Sequence, residues 1–293
     1  MHSNLQNTNK HIPVLVEPVL NLLKPLSNER YLDLTAGYGG HASRILELTG
    51  ANNSVLVDRD TNAIRYLESL DLGATILHKD FYTACVDLLA AGEQFDIILA
   101  DLGVSSPHLD NASRGFAFAT EGPLDMRMDQ SQALTADVVV NTYAQDNLER
   151  IIREYGEEPR ARTVAKAIVD ARPLSTTTQL AQIVRSALPK TGKTHPATRT
   201  FQALRIAVND ELELLRAMLP EAVRLLKPGG RMGVISFHSL EDRIVKQTFA
   251  DYSGNRYDAP LKLLTKRPVT AERSELVFNP RARSAKLRAV VKK

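Results

Sequence analysis

Three glycines at 37, 39 and 40, with one acid ahead of them at Asp33 and another at Asp58, make the pattern in this chain with the clearest chemistry. The run Asp33-Leu-Thr-Ala-Gly-Tyr-Gly-Gly-His41 follows a short apolar strand. Its glycines allow a tight strand-to-helix turn and let the backbone come close to a ligand. Asp58 closes the next strand, Val55-Leu-Val-Asp58, where a carboxylate can accept both hydroxyls of a ribose. A dinucleotide fingerprint spaces its glycines to seat a pyrophosphate on a helix N-terminus. Here the glycines run G-x-G-G behind an acid that would repel a pyrophosphate and would suit a ligand bearing an ammonium and a sulfonium. Such a turn also closes ligand-free α/β units, but with both acids in place it reads as a site for S-adenosylmethionine.

A second chemical segment is Asp101-Leu-Gly-Val-Ser-Ser-Pro107. Methyl transfer from a sulfonium is an in-line displacement, so an enzyme chiefly positions the nucleophile and stabilises the changing charge. An exocyclic amine on a base is a poor nucleophile because its lone pair is delocalised into the ring. Acceptors that hold its N–H groups make it reactive, and a carboxylate at a strand end suits that task. Asp101 is therefore the expected catalytic residue, while capping the loop or contacting the cofactor remains an equal alternative. Many amino-methylating enzymes carry an aromatic ring here to stack on the base. Leu102, Gly103 and Val104 offer none, so stacking must come from elsewhere. No metal is expected: His238 has no second histidine at ligand spacing, and Asp125 and Asp129 flank Arg127 as a loop-ordering ion pair would. Ser105 and Ser106 have no assignable His and Asp partners and are not read as nucleophiles.

The elements around these residues alternate regularly. The sequence predicts a helix over Val14 to Leu23, then strands at Tyr31 to Leu34, Ser54 to Asp58, Ala74 to His78 and Phe95 to Ala100. Helices at His41 to Leu48, Asn62 to Leu70 and Thr83 to Ala91 separate them. The fourth strand is almost wholly apolar, as in a parallel sheet covered on both faces. The fold expected is α/β, a doubly wound class I (Rossmann-like) sheet. After Leu102 the rhythm stops. An irregular stretch to Asp129 leads into helices at Asn147 to Tyr155, Ala161 to Ala171, Thr177 to Leu188 and Ala197 to Leu219. The sheet pattern resumes after the turn Lys227-Pro-Gly-Gly230 with a strand over Arg231 to Phe237, and Leu261 to Leu264 and Ser284 to Val291 are candidate last strands. Residues 1–108 and 213–293 thus form the expected cofactor-binding domain, and 109–212 an inserted, mainly helical domain for substrate recognition. Such an insertion, after the fourth strand, would cover the crevice beyond the carboxyl ends of the strands, where ligands of open α/β sheets sit.

Composition narrows the function classes. The chain has 293 residues, 43% hydrophobic and 24% charged, ordinary for a globular protein, and a net charge of +3 too small to argue for nucleic acid by itself. Its distribution says more. Arg281 to Lys293 is basic with no acid, and Lys190, Lys193, His195, Arg199 and Arg205 form an acid-free stretch that fits a phosphate-contacting edge. A solvated basic tail is an equal reading of the first of these. The single cysteine, Cys85, excludes a disulfide framework within the chain and a cysteine zinc cluster. No apolar run is long enough to span a bilayer, and Met1 to Lys10 is polar without a signal-peptide core, so a cytoplasmic protein is expected.

Five longer motifs occur in order: Asp101 to Pro107, Gly122-Pro-Leu-Asp-Met-Arg-Met-Asp129, His195-Pro-Ala-Thr-Arg-Thr-Phe-Gln-Ala-Leu-Arg205, Ser236-Phe-His-Ser-Leu-Glu-Asp-Arg243 and Asn279-Pro-Arg-Ala-Arg283. Together they resemble the bacterial small-subunit ribosomal RNA (cytosine-N4-)-methyltransferases over nearly the whole chain. The resemblance implies methylation of one cytosine N4 in the decoding region of 16S rRNA, presented by the small ribosomal subunit, with S-adenosylmethionine as donor. It implies no DNA or membrane partner, and a homodimer is compatible with it. Cofactor positions carried over from the family are Gly39, Gly40, His41, Asp58, Phe81, Asp101 and His108. Relatives can have glutamine at position 108, which makes that position the loosest of them. Two competing readings are a methyltransferase with a small-molecule or protein acceptor, and a non-catalytic adenosylmethionine-binding ribosome-assembly factor. The long motifs outside the crevice argue against a small molecule, which would not need them.

Overall fold

The computed structural model describes residues 12–51, 53–189, 195–254 and 259–293. Its frame is one eight-stranded sheet: β1 (Tyr31–Asp33), β2 (Val55–Asp58), β3 (Thr75–His78), β4 (Phe95–Asp101), β5 (Leu226–Ser236), β6 (Leu261–Leu263), β7 (Val269–Thr270) and β8 (Lys286–Lys292). The order is β3-β2-β1-β4-β5-β8-β6, with β7 also pairing with β8. The first five strands are parallel, and β8 runs antiparallel to β5, β6 and β7. The strand order turns at β1, whose neighbours are β2 on one side and β4 on the other, which opens a crevice at their carboxyl ends.

Both faces of the sheet are covered, which explains the unbroken apolar run of β4. Ile98 and Ala100 point into one core, shared with α4 (Phe81–Ala90), α11 (Glu211–Leu225) and α12 (Ser239–Ser253). Ile97 and Leu99 point into the other, shared with α1 (Val16–Leu23), α2 (Gly40–Thr49) and Leu67 of α3 (Thr61–Ser69). Because successive strand residues face opposite sides, both sets must be apolar.

The segment after β4 begins with α5 (Ser106–Asp110) and a 3₁₀ turn at Ala112–Arg114. It continues through α6 (Ala136–Thr142), α7 (Gln145–Glu154), α8 (Ala161–Asp170), α9 (Thr177–Ala187) and α10 (Thr198–Asn209). These helices enclose an apolar core of their own, running from Phe116 to Val208. The helix α13 (Arg273–Phe278) and a 3₁₀ turn at Pro280–Ser284 lead into β8.

The structure differs from the sequence reading in several places. The turn expected over 227–230 lies within β5, where the register against β4 shifts. Three further differences have a clear cause. The single helix expected over Ala197 to Leu219 is two, broken at Asp210, whose φ is 51°. The buried Asn209 forces the break: its Nδ2 donates to the carbonyl of Met126 at 2.7 Å and its Oδ1 accepts from Met128 N–H at 2.8 Å. The turn lets α10 stay in the insert's core while α11 packs on the sheet. Secondly, α11 runs through Pro220 to Leu225. The buried side chains on both sides of that proline, Leu219 and Ala222 among them, outweigh its missing hydrogen bond. Thirdly, the basic carboxyl end is no tail: Arg281 and Arg283 stay exposed on the 3₁₀ turn, and the rest is built into the sheet. That part is β8, where Arg288 and Lys286 pair with Asp242 and Lys292 donates to the carbonyls of Val223, Arg224 and Leu226. Lys190 and Lys193 of the other basic stretch lie outside the described residues.

Candidate active site

The carboxyl edge of the parallel strands forms an open crevice of about 1280 Å³ measured out to solvent. Its wall includes Gly37, Gly40, His41, Asp58, Phe81, Asp101 and His108, so all but one of the expected site residues converge there. The exception is Gly39. At φ 75° it caps α2 in the left-handed region, and a Cβ there would lie 2.9 Å from Leu70 and 3.2 Å from Leu67. Gly39 therefore shapes the loop from behind, by letting it pack on α3.

The two acids of the glycine pattern are built into the backbone around them. Asp58 accepts from Gly37 N–H at 2.7 Å and from Asp60 N–H at 2.8 Å, so it ties the glycine loop to the end of β2. Asp33 accepts from the Tyr31 hydroxyl at 2.6 Å and Thr35 N–H at 3.1 Å. Burial raises the carboxyl of Asp33 to about 7, with those two hydrogen bonds opposing it. Burial also raises Asp58 above the ordinary carboxylate range, against the pull of the backbone N–H groups.

Asp101 ends β4, its N–H donating to Thr35 Oγ1 at 2.6 Å. Its carboxyl is pushed well above the ordinary range by burial and then by the negative charges of Asp33 and Glu241. One oxygen, Oδ2, lies 3.6 Å from His41 Nε2, and Oδ1 is buried with no hydrogen-bond partner among the described residues. Asp33, Asp58 and Asp101 thus face one crevice, each at a cost in solvation. A ligand carrying positive charge offsets that cost and a pyrophosphate adds to it, so the donor set fits S-adenosylmethionine.

His108 and Phe81 take different parts of the wall. Phe81 opens α4, whose N-cap Asp80 accepts from Tyr82 and Thr83 N–H, each at 2.9 Å. His108 is buried with Nε2 2.9 Å from Asp60 Oδ2 and Nδ1 2.9 Å from Ser105 Oγ. Nδ1 is bonded within the turn, and Nε2 faces the Asp60 carboxylate as a close charge partner without forming an aligned hydrogen bond. Asp60 also receives Arg114, whose Nη2 donates to the carbonyls of Arg127 and Met128, each at 2.9 Å. Burial raises the Asp60 carboxyl, but His108 and Arg114 outweigh it and leave it below its usual value. This Asp60–His108–Arg114 network pins the irregular 102–129 stretch to the end of β2. Sequence reading missed Asp60 and Arg114, because nothing in their local spacing joins positions so far apart in the chain. Arg127 pairs with Asp125 through Nε at 2.9 Å and Nη2 at 2.8 Å.

Beyond Asp101, the wall continues with Gly103, Glu211, Phe237, Glu241 and Arg281. Glu211, His238 and Glu241 bring ligand atoms within 4.8 Å of one another, as a metal site would. A cation of the protein already serves them. Arg205 makes two hydrogen bonds to Glu211 and its charge helps hold Glu241 low against burial, together with His238. Arg205 is thereby removed from the phosphate-contacting edge expected for it. Arg199 stays half exposed, with Nη1 3.5 Å from Glu158 Oε2.

A parallel sheet of this order with an antiparallel strand beside β5, and an acid-lined glycine crevice at its carboxyl edge, defines a class I S-adenosylmethionine-dependent methyltransferase. More particularly, the chain belongs to the MraW methylase family, whose model matches residues 8–293. It is 46% identical to ribosomal RNA small subunit methyltransferase H of Synechocystis sp. over 95% of this chain and 92% of that protein. The identity is also 46% to the protein of the same name from Acidobacterium capsulatum, over 97% and 99% of the two chains. Among solved structures, an rRNA methylase from Streptococcus thermophilus is a distant likeness, with a TM-score of 0.43 and 10% identity over 98% of this chain and 99% of that one. No helix among the described residues is long and apolar enough to cross a membrane.

Proposed function

We propose that this enzyme transfers a methyl group from S-adenosylmethionine to the exocyclic N4 of a specific cytosine in the decoding region of 16S rRNA, within the small ribosomal subunit. The relatives' name supports an rRNA of the small subunit as substrate. The observation that carries the choice of an amine is Asp101: a buried carboxylate at the end of β4 with one oxygen lacking a partner among the described residues. An amine N–H is the donor such an oxygen lacks. An acceptor there also favours the pyramidal nitrogen, whose lone pair can attack.

When bound, S-adenosylmethionine supplies an electrophilic methyl group on a sulfonium. Asp58 would receive the ribose hydroxyls through the lone pairs its backbone contacts leave free, and Asp33 would face the cationic end. Gly40, His41 and Phe81 would line the same ligand, and Gly39 would act on it through the loop it shapes. His108 would contribute by fixing Ser105 and Asp60. Asp101, ionised once the cofactor's positive charge lies beside it, would hold the N4 amine through a carboxylate oxygen and take its proton there. Residues 109–212 would form the unit that recognises the RNA, with 1–108 and 213–293 holding the cofactor.

The test is tritium transfer from labelled S-adenosylmethionine to purified small subunits from a strain lacking the enzyme. Mass analysis of the digested RNA should place the label on cytosine N4. Label on a protein, on another base or on nothing overturns the reading.

A further inference from the structure

Strand order becomes an order of side chains along the crevice. Phe81 follows β3, Asp58 ends β2, the glycine loop follows β1, Asp101 ends β4 and Phe237 follows β5. With Asp58 at the nucleoside end and Asp33 at the cationic end, the side left for an acceptor is the β4–β5 half. A cytosine brought there has left its own stack, and an aromatic face is the usual compensation. The Asp101 loop offers no ring, as its sequence requires.

Among the described residues the Phe and Tyr rings lining the crevice are Tyr38, Phe81 and Phe237. Tyr38 packs against Tyr66 of α3, ring centres 5.2 Å apart, and Phe81 stands beyond β3. Both belong to the nucleoside side. Phe237 alone of the three stands beside Asp101. The β4–β5 ladder sets Asp101 opposite Ile235, and Leu102 N–H donates to the Ile235 carbonyl at 2.9 Å. Two residues further along each strand, Gly103 meets the Phe237 ring, where a Cβ at 103 would lie 3.4 Å from Cδ2. Gly103 also has φ +96°, so a ring at that position is excluded twice, by conformation and by the space Phe237 takes. The Phe237 backbone is itself fixed: its N–H donates at 2.7 Å to Oε2 of Glu241, in the capping box that opens α12. The ring is half-buried, with one part against the sheet's core and another in the crevice.

We propose that Phe237, delivered from the end of β5, is the ring on which the target cytosine stacks while Asp101 receives its N4 amine. This rests on the function proposed above and assigns the specificity half of that same site. The test compares wild type, Phe237→Leu and Phe237→Tyr in tritium transfer to small subunits lacking the modification, with S-adenosylmethionine affinity measured by calorimetry. Leu keeps apolar volume but no aromatic face, so kcat/KM for the subunit should fall about 5- to 150-fold, the usual worth of one stacked base. Tyr should recover activity to within about threefold of wild type, and cofactor affinity should stay within about twofold in all three. A Leu variant as active as wild type, a Tyr variant as poor as Leu, or cofactor binding lost in step with rate would each assign the ring to packing alone. If wild-type label fails to reach cytosine N4, the underlying function falls instead, before the variants are compared.

Discussion

Arg205 and Glu211 are joined by two hydrogen bonds, Nε to Oε1 at 2.8 Å and Nη2 to Oε2 at 2.7 Å, across the break between α10 and α11. The pair is largely buried, with side chains 15% and 9% exposed. Arg205 therefore anchors the last helix of the insert to the crevice wall. Removing one partner of such a pair leaves a buried charge without compensation.

Arg205→Ala should accordingly lower stability by about 3 kcal/mol, read by urea unfolding. Arg199→Ala, at an exposed position, should melt with the wild type and reduce the salt dependence of subunit binding by about one phosphate contact. An Arg205→Ala protein of unchanged stability that had lost salt-dependent binding would return Arg205 to the RNA face.

Asp101→Asn preserves shape and one acceptor oxygen but presents amide N–H groups towards the amine. The single-turnover rate at saturating cofactor and subunit should drop about 10²–10⁴-fold. S-adenosylmethionine affinity should change far less. A wild-type rate at saturation would leave Asp101 a binding residue and pass amine activation to backbone carbonyls of the 102–104 loop.

Asp58 has two duties, because its oxygens already accept from Gly37 and Asp60 N–H. Asp58→Ala should weaken S-adenosylmethionine binding by about 1.5–3 kcal/mol, the worth of hydrogen bonds to a charged group. It should also lower the melting temperature, since the glycine loop loses its tie to β2. Calorimetric titration giving an unchanged affinity would remove Asp58 from the cofactor site.

The pH dependence follows from Asp33, whose carboxyl stands at about 7 against an ordinary 3.8. Between those values the folded protein keeps a proton that the unfolded chain has lost, so stability without ligand falls as pH rises from about 4 to 7. Asp101, also raised by burial, contributes a fall of the same sign. Asp33→Asn should flatten this slope in thermal melts. A cationic ligand favours the ionised form, so S-adenosylmethionine should bind more tightly as pH rises towards about 7 and should release protons. Calorimetry at pH 6 in buffers of different ionisation heat reads that release, and its absence would mean that Asp33 does not sense the ligand.

Much of this protein was legible in its residues because local rules govern them. The apolar runs of β1 to β4, the glycine loop and the acids at strand ends depend on neighbours a few positions away, and they sufficed for the sheet and for the cofactor. Even the absence of a ring at 102–104 was visible. The ring that stands against Gly103 was not, because Phe237 reaches it only through the β4–β5 register, across more than the whole insert. The same holds for Asp60 with Arg114, Asn209 with Met126 and Met128, and Arg205 with Glu211. Charge and spacing marked Arg205 as a surface cation, yet burial beside a carboxylate made it a structural one. A residue's type and spacing determine what it can do. Which partner it meets, and whether water is there to compete, is decided by packing that no local pattern encodes.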